Sequence, residues 1–157
     1  MLKIRYATKK DTKLLLNFIK DLAKYEKMIN DVKNNEELIN KWLFEKQVAK
    51  AFFILEDNIE IGFVIYFYNY STFVGKPGLY VEDIFIKEQY RNKGYGKLVF
   101  QYLAKKAYEE GCGRMEWVCL DWNESGIKFY QSLGAEKLDE WLIFRLTAEN
   151  IKKLVWG

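Results

Sequence analysis

A basic, glycine-bearing segment at residues 91–97, Arg-Asn-Lys-Gly-Tyr-Gly-Lys, is the part of this sequence best suited to chemistry. It follows the β-branched and aromatic run of residues 79–86 and opens a stretch whose apolar residues recur with helical spacing. The first turn of a helix presents free N–H groups and positive potential, and glycines let the backbone close on an anion. The sequence therefore predicts a phosphate cradle formed by Arg91, Asn92, Lys93, Gly94, Tyr95, Gly96 and Lys97.

The glycine spacing excludes two common nucleotide-binding loops. A Walker A loop has four residues between its glycines and then Lys-Ser/Thr, whereas one residue separates Gly94 from Gly96 here and Leu98 follows Lys97. A dinucleotide fingerprint needs a third glycine where Val99 stands, and it lies near the start of a βαβ unit. The pattern that remains is Arg-x-x-Gly-x-Gly, which taken alone is as typical of a solvated basic turn as of an anion site.

The elements that must position this loop follow a βααβββαβαβ order. Alternating or continuous apolar runs predict strands at 2–7, 51–56, 59–70, 79–86, 115–120 and 140–146, and helical spacing predicts helices at 9–27, 35–45, from 95 onward, and at 124–133. Thr8 and Asp11 can cap the first helix, Asp57-Asn58 predicts a hairpin turn, residues 75–78 predict a second turn, and residues 150–155 predict a short helical turn. This order predicts an α/β fold in which a mixed parallel and antiparallel sheet carries helices on both faces, as one domain over residues 1–157.

Composition narrows the class of protein further. Half of the 157 residues are hydrophobic, and the net charge of +3 comes without a long basic run, which argues against a nucleic-acid partner. No apolar run reaches the roughly 18 residues of a membrane span, and residues 1–4 lead into a strand pattern instead of a signal peptide, so a cytoplasmic location is expected. Histidine is absent and Cys112 and Cys119 are the only cysteines, so neither a metal site nor a His-activated nucleophile is expected.

Motifs along most of the chain resemble one enzyme superfamily. Residues 80–86 (Tyr-Val-Glu-Asp-Ile-Phe-Ile), the Arg-x-x-Gly-x-Gly loop, 121–124 (Asp-Trp-Asn-Glu), Phe129-Tyr130 with Gly134-Ala135, and 22–26 (Leu-Ala-Lys-Tyr-Glu) resemble the GCN5-related N-acetyltransferase (GNAT) superfamily, in its diamine acetyltransferase or spermidine/spermine-type branch. The resemblance runs from Ile4 to Leu146. It implies an N-acetyltransferase domain that uses acetyl-CoA, acts on a primary amine by direct transfer in a ternary complex, and forms homodimers.

The resemblance also implies how acetyl-CoA is held. A backbone N–H near Ile84, Phe85 and Ile86 is expected to meet the thioester oxygen, and the pantetheine is expected to run between splayed fourth and fifth strands. Asn123 and Ser125 are further expected cofactor contacts, with Asn123 also able to cap the helix at 124–133. The polyamine enzymes carry Pro-Ser where this chain has Ser125-Gly126, which makes that contact less secure.

Acidic residues are the candidates for amine binding and deprotonation. In a regular strand Glu82 and Asp83 would point to opposite faces, so a bulge or a functional pocket is expected, with pairing of one acid to a buried arginine as the alternative. A primary amine has a pKa of about 10.4 and needs a base at neutral pH, for which Glu82, acting through water, is the candidate. A groove for a cationic substrate is expected from Tyr25, Glu26, Asp83, Asp121 and Glu116, the last standing where polyamine enzymes carry histidine.

Tyr130 matches the tyrosine that family members place near the cofactor sulfur as general acid. A phenol stays protonated at neutral pH and can donate to a leaving thiolate, although helix periodicity alone would equally make Tyr130 a packing residue. The open alternatives for function are acetylation of another amine, such as an aminoglycoside or a protein lysine, and a non-catalytic acyl-CoA-binding module, which would need neither Glu82 nor Tyr130.

Overall fold

The computed structural model describes residues 2–157, which form two compact units. The first unit ends at Leu120 and the second is Asp121–Gly157. The first holds a five-stranded sheet in which β1 to β4 are antiparallel to their neighbours and β4 and β5 are parallel, so the predicted mixed sheet is confirmed. Its strands, in the order of the sheet, are β1 Leu2–Tyr6, β2 Lys50–Glu56, β3 Ile59–Ser71, β4 Lys76–Ile86 and β5 Arg114–Glu116.

Helices of the first unit begin where the sequence supplies caps. Thr8 and Asp11 form a reciprocal capping box around a single 3₁₀ turn, which continues into α1 (Thr12–Tyr25). The side chain of Asn35 accepts a hydrogen bond from the Leu38 N–H at 2.9 Å and so starts the next helix. The helices are α1, α2 (Glu36–Ile39, continued by a π-helical segment, Asn40–Glu45) and α3 (Tyr95–Glu109) in the first unit, and α4 (Glu124–Ser132) and α5 (Ala148–Trp156) in the second.

The two faces of the sheet carry separate apolar cores. On one face Val99, Leu103 and Ala107 of α3 pack against the sheet, and on the other Leu15 and Phe18 of α1 do so. Full burial of a valine, leucine or phenylalanine side chain contributes about 1.5–3 kcal/mol, so both helices are held chiefly by apolar burial. Helices on both faces of the sheet are therefore confirmed.

An ion-pair network ties the start of the chain to the sheet. The Arg5 guanidinium donates to Asp11 at 3.0 Å and to Glu60 at 2.9 Å, and it lies 4.8 Å from the Phe53 ring centroid. Burial tends to raise the pKa of Asp11, but hydrogen bonds from Arg5 and Thr8 outweigh it and hold that pKa below its ordinary value of 3.8. The same arginine holds the pKa of Glu60 below 4.5. Both carboxylates therefore stabilise the fold above their unfolded-state pKa values, and this contribution is lost as the pH falls.

Turns follow the sequence prediction at one hairpin and depart from it at the next. Asp57 and Asn58 have φ of +49° and +63° and join β2 to β3, as predicted for a two-residue turn. The second turn occupies residues 72–75 and not 75–78, because residues 76–78 already pair with β3. Gly75 closes this turn with φ +73°, a conformation that glycine adopts without strain.

Two predicted strands require correction. The fifth strand is Arg114–Glu116 instead of 115–120, and the strand predicted at 140–146 is absent, since residues 141–147 have no strand pairing. An apolar run shows only that a segment is able to form a strand. The strand itself also needs a hydrogen-bonded neighbour. Trp141 and Phe144 are accordingly exposed within residues 121–157. Over residues 2–157, no helix is long and apolar enough to cross a membrane.

Candidate functional site

Strand β4 carries a bulge at Glu82. Val81 pairs with Tyr66 and Asp83 with Ile65, so two consecutive positions of β3 face three of β4 and Glu82 is the extra residue. A bulge of this kind bends the strand and redirects side chains. The bulge expected from the adjacent acids is therefore present.

The bulge exchanges the faces to which successive β4 side chains point. Before it, Val81 packs in the core beneath α3, and after it Ile84 packs against that same core. Phe85 instead joins the core beneath α1. Because side chains alternate along a strand, Asp83 lies on the α1 face together with Phe85, where an unbroken strand would have placed it beneath α3.

Asp83 is a partly buried carboxyl group among other acids. Burial raises its pKa to about 7, and the charges of Glu82 and Glu26 add to the shift. Glu26, at the end of α1, also has its pKa raised by burial, whereas the Glu82 side chain is exposed. Among residues 2–157, Asp83 makes no ion pair with an arginine, so the structural alternative for this acid is not observed. Such an uncompensated carboxyl group suits a cationic ligand.

Arg91 connects the predicted phosphate loop to this acidic region. Its Nε–H donates to the Ile86 carbonyl at 2.7 Å, which joins the loop to the end of β4. Its guanidinium carbon lies 4.7 Å from the Tyr25 ring centroid and 5.1 Å from that of Phe85. The side chain thus spans from the loop to the end of α1, a placement that the sequence pattern did not predict.

The loop between β4 and α3 has the backbone shape of an anion cradle. Asn92 and Gly94 have φ of +61° and +82°, and such left-handed residues within a loop turn successive N–H groups toward one side. Gly94 is the N-cap of α3 and supplies no side-chain cap, which leaves the first-turn N–H groups for a ligand. Lys93 and Lys97 are exposed beside the loop.

Tyr95 anchors the loop and does not point its hydroxyl into the cradle. Its phenol donates a hydrogen bond to the Glu56 carboxylate at the end of β2. This contact fixes the first residue of α3 against the sheet. Tyr95 can therefore offer the cradle only its backbone N–H.

The edge of β4 that faces β5 is open along half of its length. The pairing with β5 covers only Gly78, Leu79 and Tyr80. From Val81 to Ile86 that edge has no strand neighbour among residues 2–157. Backbone groups on this side can therefore pair with an extended ligand, in the way an edge strand accepts a peptide.

Glu116 lies across from Tyr80 on the same face as Asp83. Glu116 and Tyr80 pair in the β4–β5 ladder, and Nε of Arg114 lies 3.1 Å from Oε1 of Glu116 in an ion pair. Burial raises the pKa of Tyr80, and the charges of Glu82 and Glu116 raise it further. We call Glu26, Glu82, Asp83 and Glu116 the acidic groove. Tyr80, on which the charges of Glu82 and Glu116 act, was not among the site residues predicted from the sequence, although it stands two residues before Glu82 on the same strand.

Four predicted site residues lie in the second unit. The Asn123 side chain accepts hydrogen bonds from the Gly126 N–H at 3.1 Å and from the Ser125 hydroxyl at 3.3 Å, so it caps α4 as predicted. Tyr130 is partly buried on α4, with its ring centroid 5.5 Å from that of Phe129. Asp121 is exposed at the start of this unit.

Comparison with known proteins assigns this chain to a family. The profile of the Acetyltransferase (GNAT) family matches residues 16–135. The chain belongs to the GNAT acetyltransferase family, and the family predicted from the sequence is confirmed. The match covers most of α1, strands β2 to β5 with the bulge in β4, the loop, α3 and α4.

Individual relatives agree with this assignment. The chain is 31% identical to a thialysine N-epsilon-acetyltransferase of Bos taurus over 96% of this chain and 95% of that protein. It is 45% identical to the L-ornithine N5-acetyltransferase NATA1 of Arabidopsis thaliana over 64% of this chain, a match that spans 44% of that longer protein. Among solved structures, an integron cassette protein from the mobile metagenome of V. cholerae superposes with a TM-score of 0.82 at 26% identity, over 99% of this chain and 98% of that one. These similarities identify the chain as an N-acetyltransferase.

Proposed function

We propose that this protein transfers the acetyl group of acetyl-CoA to a primary amine of a small cationic substrate, directly and within a ternary complex. The observation that carries the proposal is the bulge of β4, which places an uncompensated acid, Asp83, beside the open edge of the same strand. Asp83, the acid proposed for the amine, is thus followed directly in the chain by Ile84, Phe85 and Ile86, whose N–H groups are the proposed donors to the thioester.

The loop and the open edge suit the chemistry of acetyl-CoA. The pyrophosphate needs several N–H donors and positive potential, which residues 91–97 offer through their left-handed positions and the start of α3. The pantetheine is an extended chain with two amides, and it can pair with the unpaired edge from Val81 to Ile86. A backbone N–H of Ile84, Phe85 or Ile86 would then polarise the thioester carbonyl. Asn123 and Ser125 remain proposed contacts.

The acidic groove suits an amine that carries a second polar or charged group. Two names of relatives, thialysine N-epsilon-acetyltransferase and L-ornithine N5-acetyltransferase, point to an amine at the end of a side chain. Glu26, Glu82, Asp83 and Glu116 would attract such a cation, with Tyr25 and Asp121 as further proposed contacts. A diamine, a polyamine or a thialysine-like amino acid is the proposed substrate class.

The nitrogen must lose two protons, one before it attacks and one as the amide forms, and the sulfur of CoA must gain one. The substrate ammonium must lose a proton before its nitrogen attacks, and the bulge offers Glu82, the base predicted from the sequence, and Asp83. The departing thiolate then takes a proton, for which we propose Tyr130. The chain contains no histidine that could fill either role.

An amine panel tests the proposal against its rivals. Thialysine, ornithine, a diamine, spermidine, an aminoglycoside and a lysine peptide are each incubated with the protein and acetyl-CoA, and free CoA is measured. We expect turnover with the small diamines or the amino acids. Turnover of only the aminoglycoside or the peptide would move the activity to another amine. Acetyl-CoA binding without turnover of any amine would favour a non-catalytic acyl-CoA-binding module.

We further propose a cytoplasmic homodimer. Phe73, at the tip of the β3–β4 hairpin, is fully exposed, and Tyr70 beside it is 66% exposed, which is a surface that a second copy would cover. Within residues 2–157, Cys112 and Cys119 form no disulfide, as suits a reducing compartment. Sedimentation velocity tests the assembly, and a monomer at micromolar concentration would contradict it.

A further inference from the structure

We propose that Asp83, rather than Glu82, is the group that removes the proton from the substrate ammonium, an inference that rests on the proposed acetyltransferase function. The carboxylate of Asp83 takes the first proton as an N–H bond of the ammonium breaks. The nitrogen lone pair then attacks the thioester carbon, the C–S bond breaks as the thiolate takes a proton from a separate donor, and the nitrogen gives up its second proton to that donor as the amide forms. The proton held by Asp83 is released to water, so the net products are the acetylated amine, CoA and one proton.

The bulge is the first argument, because it decides which acid shares a face with the amine-binding residues. Asp83 follows the extra residue and lies on the α1 face, which it shares with Phe85. Arg91 and Tyr25 stack there, next to the end of α1 that carries Glu26. Glu82 is the bulged residue itself and is exposed, so water competes for its carboxylate.

The charges around Asp83 are the second argument. The charges that act on it are those of Glu82, from its own strand, and Glu26, at the end of α1. The same face of the sheet also carries Arg91, which stacks on Tyr25 and Phe85. Farther along it lie Tyr80 and Glu116 with its ion-pair partner Arg114. The acids nearest to it raise its affinity for a proton, and they also attract an incoming ammonium. The cluster can therefore bind the charged amine and then accept its proton in the same place.

The third argument concerns driving force. Burial raises the pKa of Asp83 to about 7, with the charges of Glu82 and Glu26 adding to the shift. An ammonium has a pKa of about 10.4, so the proton moves uphill by roughly 3 pKa units to Asp83, against roughly 6 to a carboxyl group of ordinary pKa near 4. A general base works best when its pKa lies near the working pH. Asp83 meets that condition.

A pair of isosteric variants tests this role. Asp83→Asn and Glu82→Gln each remove one ionisation and keep the side-chain size, and kcat/KM is measured from pH 5.5 to 9.5 with the best amine of the panel. In the wild type we expect kcat/KM to fall as the pH drops through about 7, because the base becomes protonated. Asp83→Asn should lower kcat about 10²–10⁴-fold and abolish this fall, the acidic limb of the pH profile. Glu82→Gln should keep the limb and change mainly the amine KM.

Control measurements separate a role in proton transfer from one in folding. Acetyl-CoA Kd and thermal unfolding are measured for each variant; for Asp83→Asn the Kd should match the wild type, and the unfolding temperature near neutral pH should not fall, because the substitution removes a buried charge. Asp83→Glu should restore part of the rate together with a pH limb, which gives a second variant should the asparagine protein fold poorly. Loss of the limb in Glu82→Gln alone, or its retention in Asp83→Asn, would overturn the inference while leaving the acetyltransferase function intact. Absence of wild-type turnover on every amine would overturn both.

Discussion

Replacing Gly94 by alanine tests the phosphate cradle through its backbone. Gly94 has φ +82°, and an added Cβ would meet no atom within 4 Å, so Gly94→Ala introduces backbone strain without a clash. A left-handed residue with a Cβ costs about 1–2 kcal/mol. The loop of the free variant relaxes to relieve this strain, so the binding of acetyl-CoA must restore the left-handed conformation at residue 94. The affinity should then fall about 5–30-fold, since each 1.4 kcal/mol is roughly tenfold.

The β3–β4 turn supplies a matched control. Gly75 has φ +73° and its added Cβ would likewise meet nothing within 4 Å, so Gly75→Ala carries the same strain at a site unrelated to the cofactor. Titration calorimetry gives the acetyl-CoA Kd and urea unfolding gives the stability of both variants. Gly94→Ala should weaken acetyl-CoA binding, while Gly75→Ala should lower only the unfolding free energy, by about 1–2 kcal/mol. Equal affinities for the two variants and the wild type would refute the cradle.

Four further predictions address the acid, the connecting arginine, the groove and the fold. Tyr130→Phe keeps the ring and should lower kcat about 10²-fold with unchanged acetyl-CoA Kd; a kcat within twofold of wild type, with chemistry rate-limiting, would make Tyr130 a packing residue. Arg91→Lys keeps the charge but loses the planar stacking, and it should raise the KM values of both substrates in steady-state assays; an effect on neither would remove Arg91 from the site. Added NaCl should raise the KM of a diamine more than that of an uncharged monoamine of similar length, and equal responses would argue against the acidic groove. Arg5→Gln should cost about 1 kcal/mol in urea unfolding at pH 7, with the difference shrinking below pH 4 as Asp11 and Glu60 become protonated; a difference that persists at pH 3 would contradict the ion-pair account.

Local signals in the sequence account for most of the fold that was predicted. The capping residues Thr8 and Asn123, the Asp57-Asn58 turn and the glycine loop act over a few residues, so their structure can be read from neighbours in the chain. The bulge was also readable, because the apolar alternation changes phase where two acids interrupt it. Local rules thus positioned the predicted loop and the acid-bearing strand.

Other features depend on partners distant in sequence. The strand predicted at 140–146 had the right composition but lacks a hydrogen-bonded neighbour, and composition cannot supply one. The side chain of Arg91 stacks on Tyr25, 66 positions earlier in the chain, so its direction is set by tertiary packing. The same applies to the raised pKa of Asp83, which depends on burial and on Glu26. These contacts required the structure.

Initial-rate kinetics with both substrates varied is the most direct test of the central claim. Free CoA release is followed over a grid of acetyl-CoA and amine concentrations, with the best amine of the panel, and the acetylated product is identified by mass spectrometry. Direct transfer within a ternary complex predicts one acetyl group per CoA released and double-reciprocal lines that intersect. Parallel lines would indicate a covalent acetyl-enzyme, and CoA release without an acetylated amine would contradict the proposed reaction altogether.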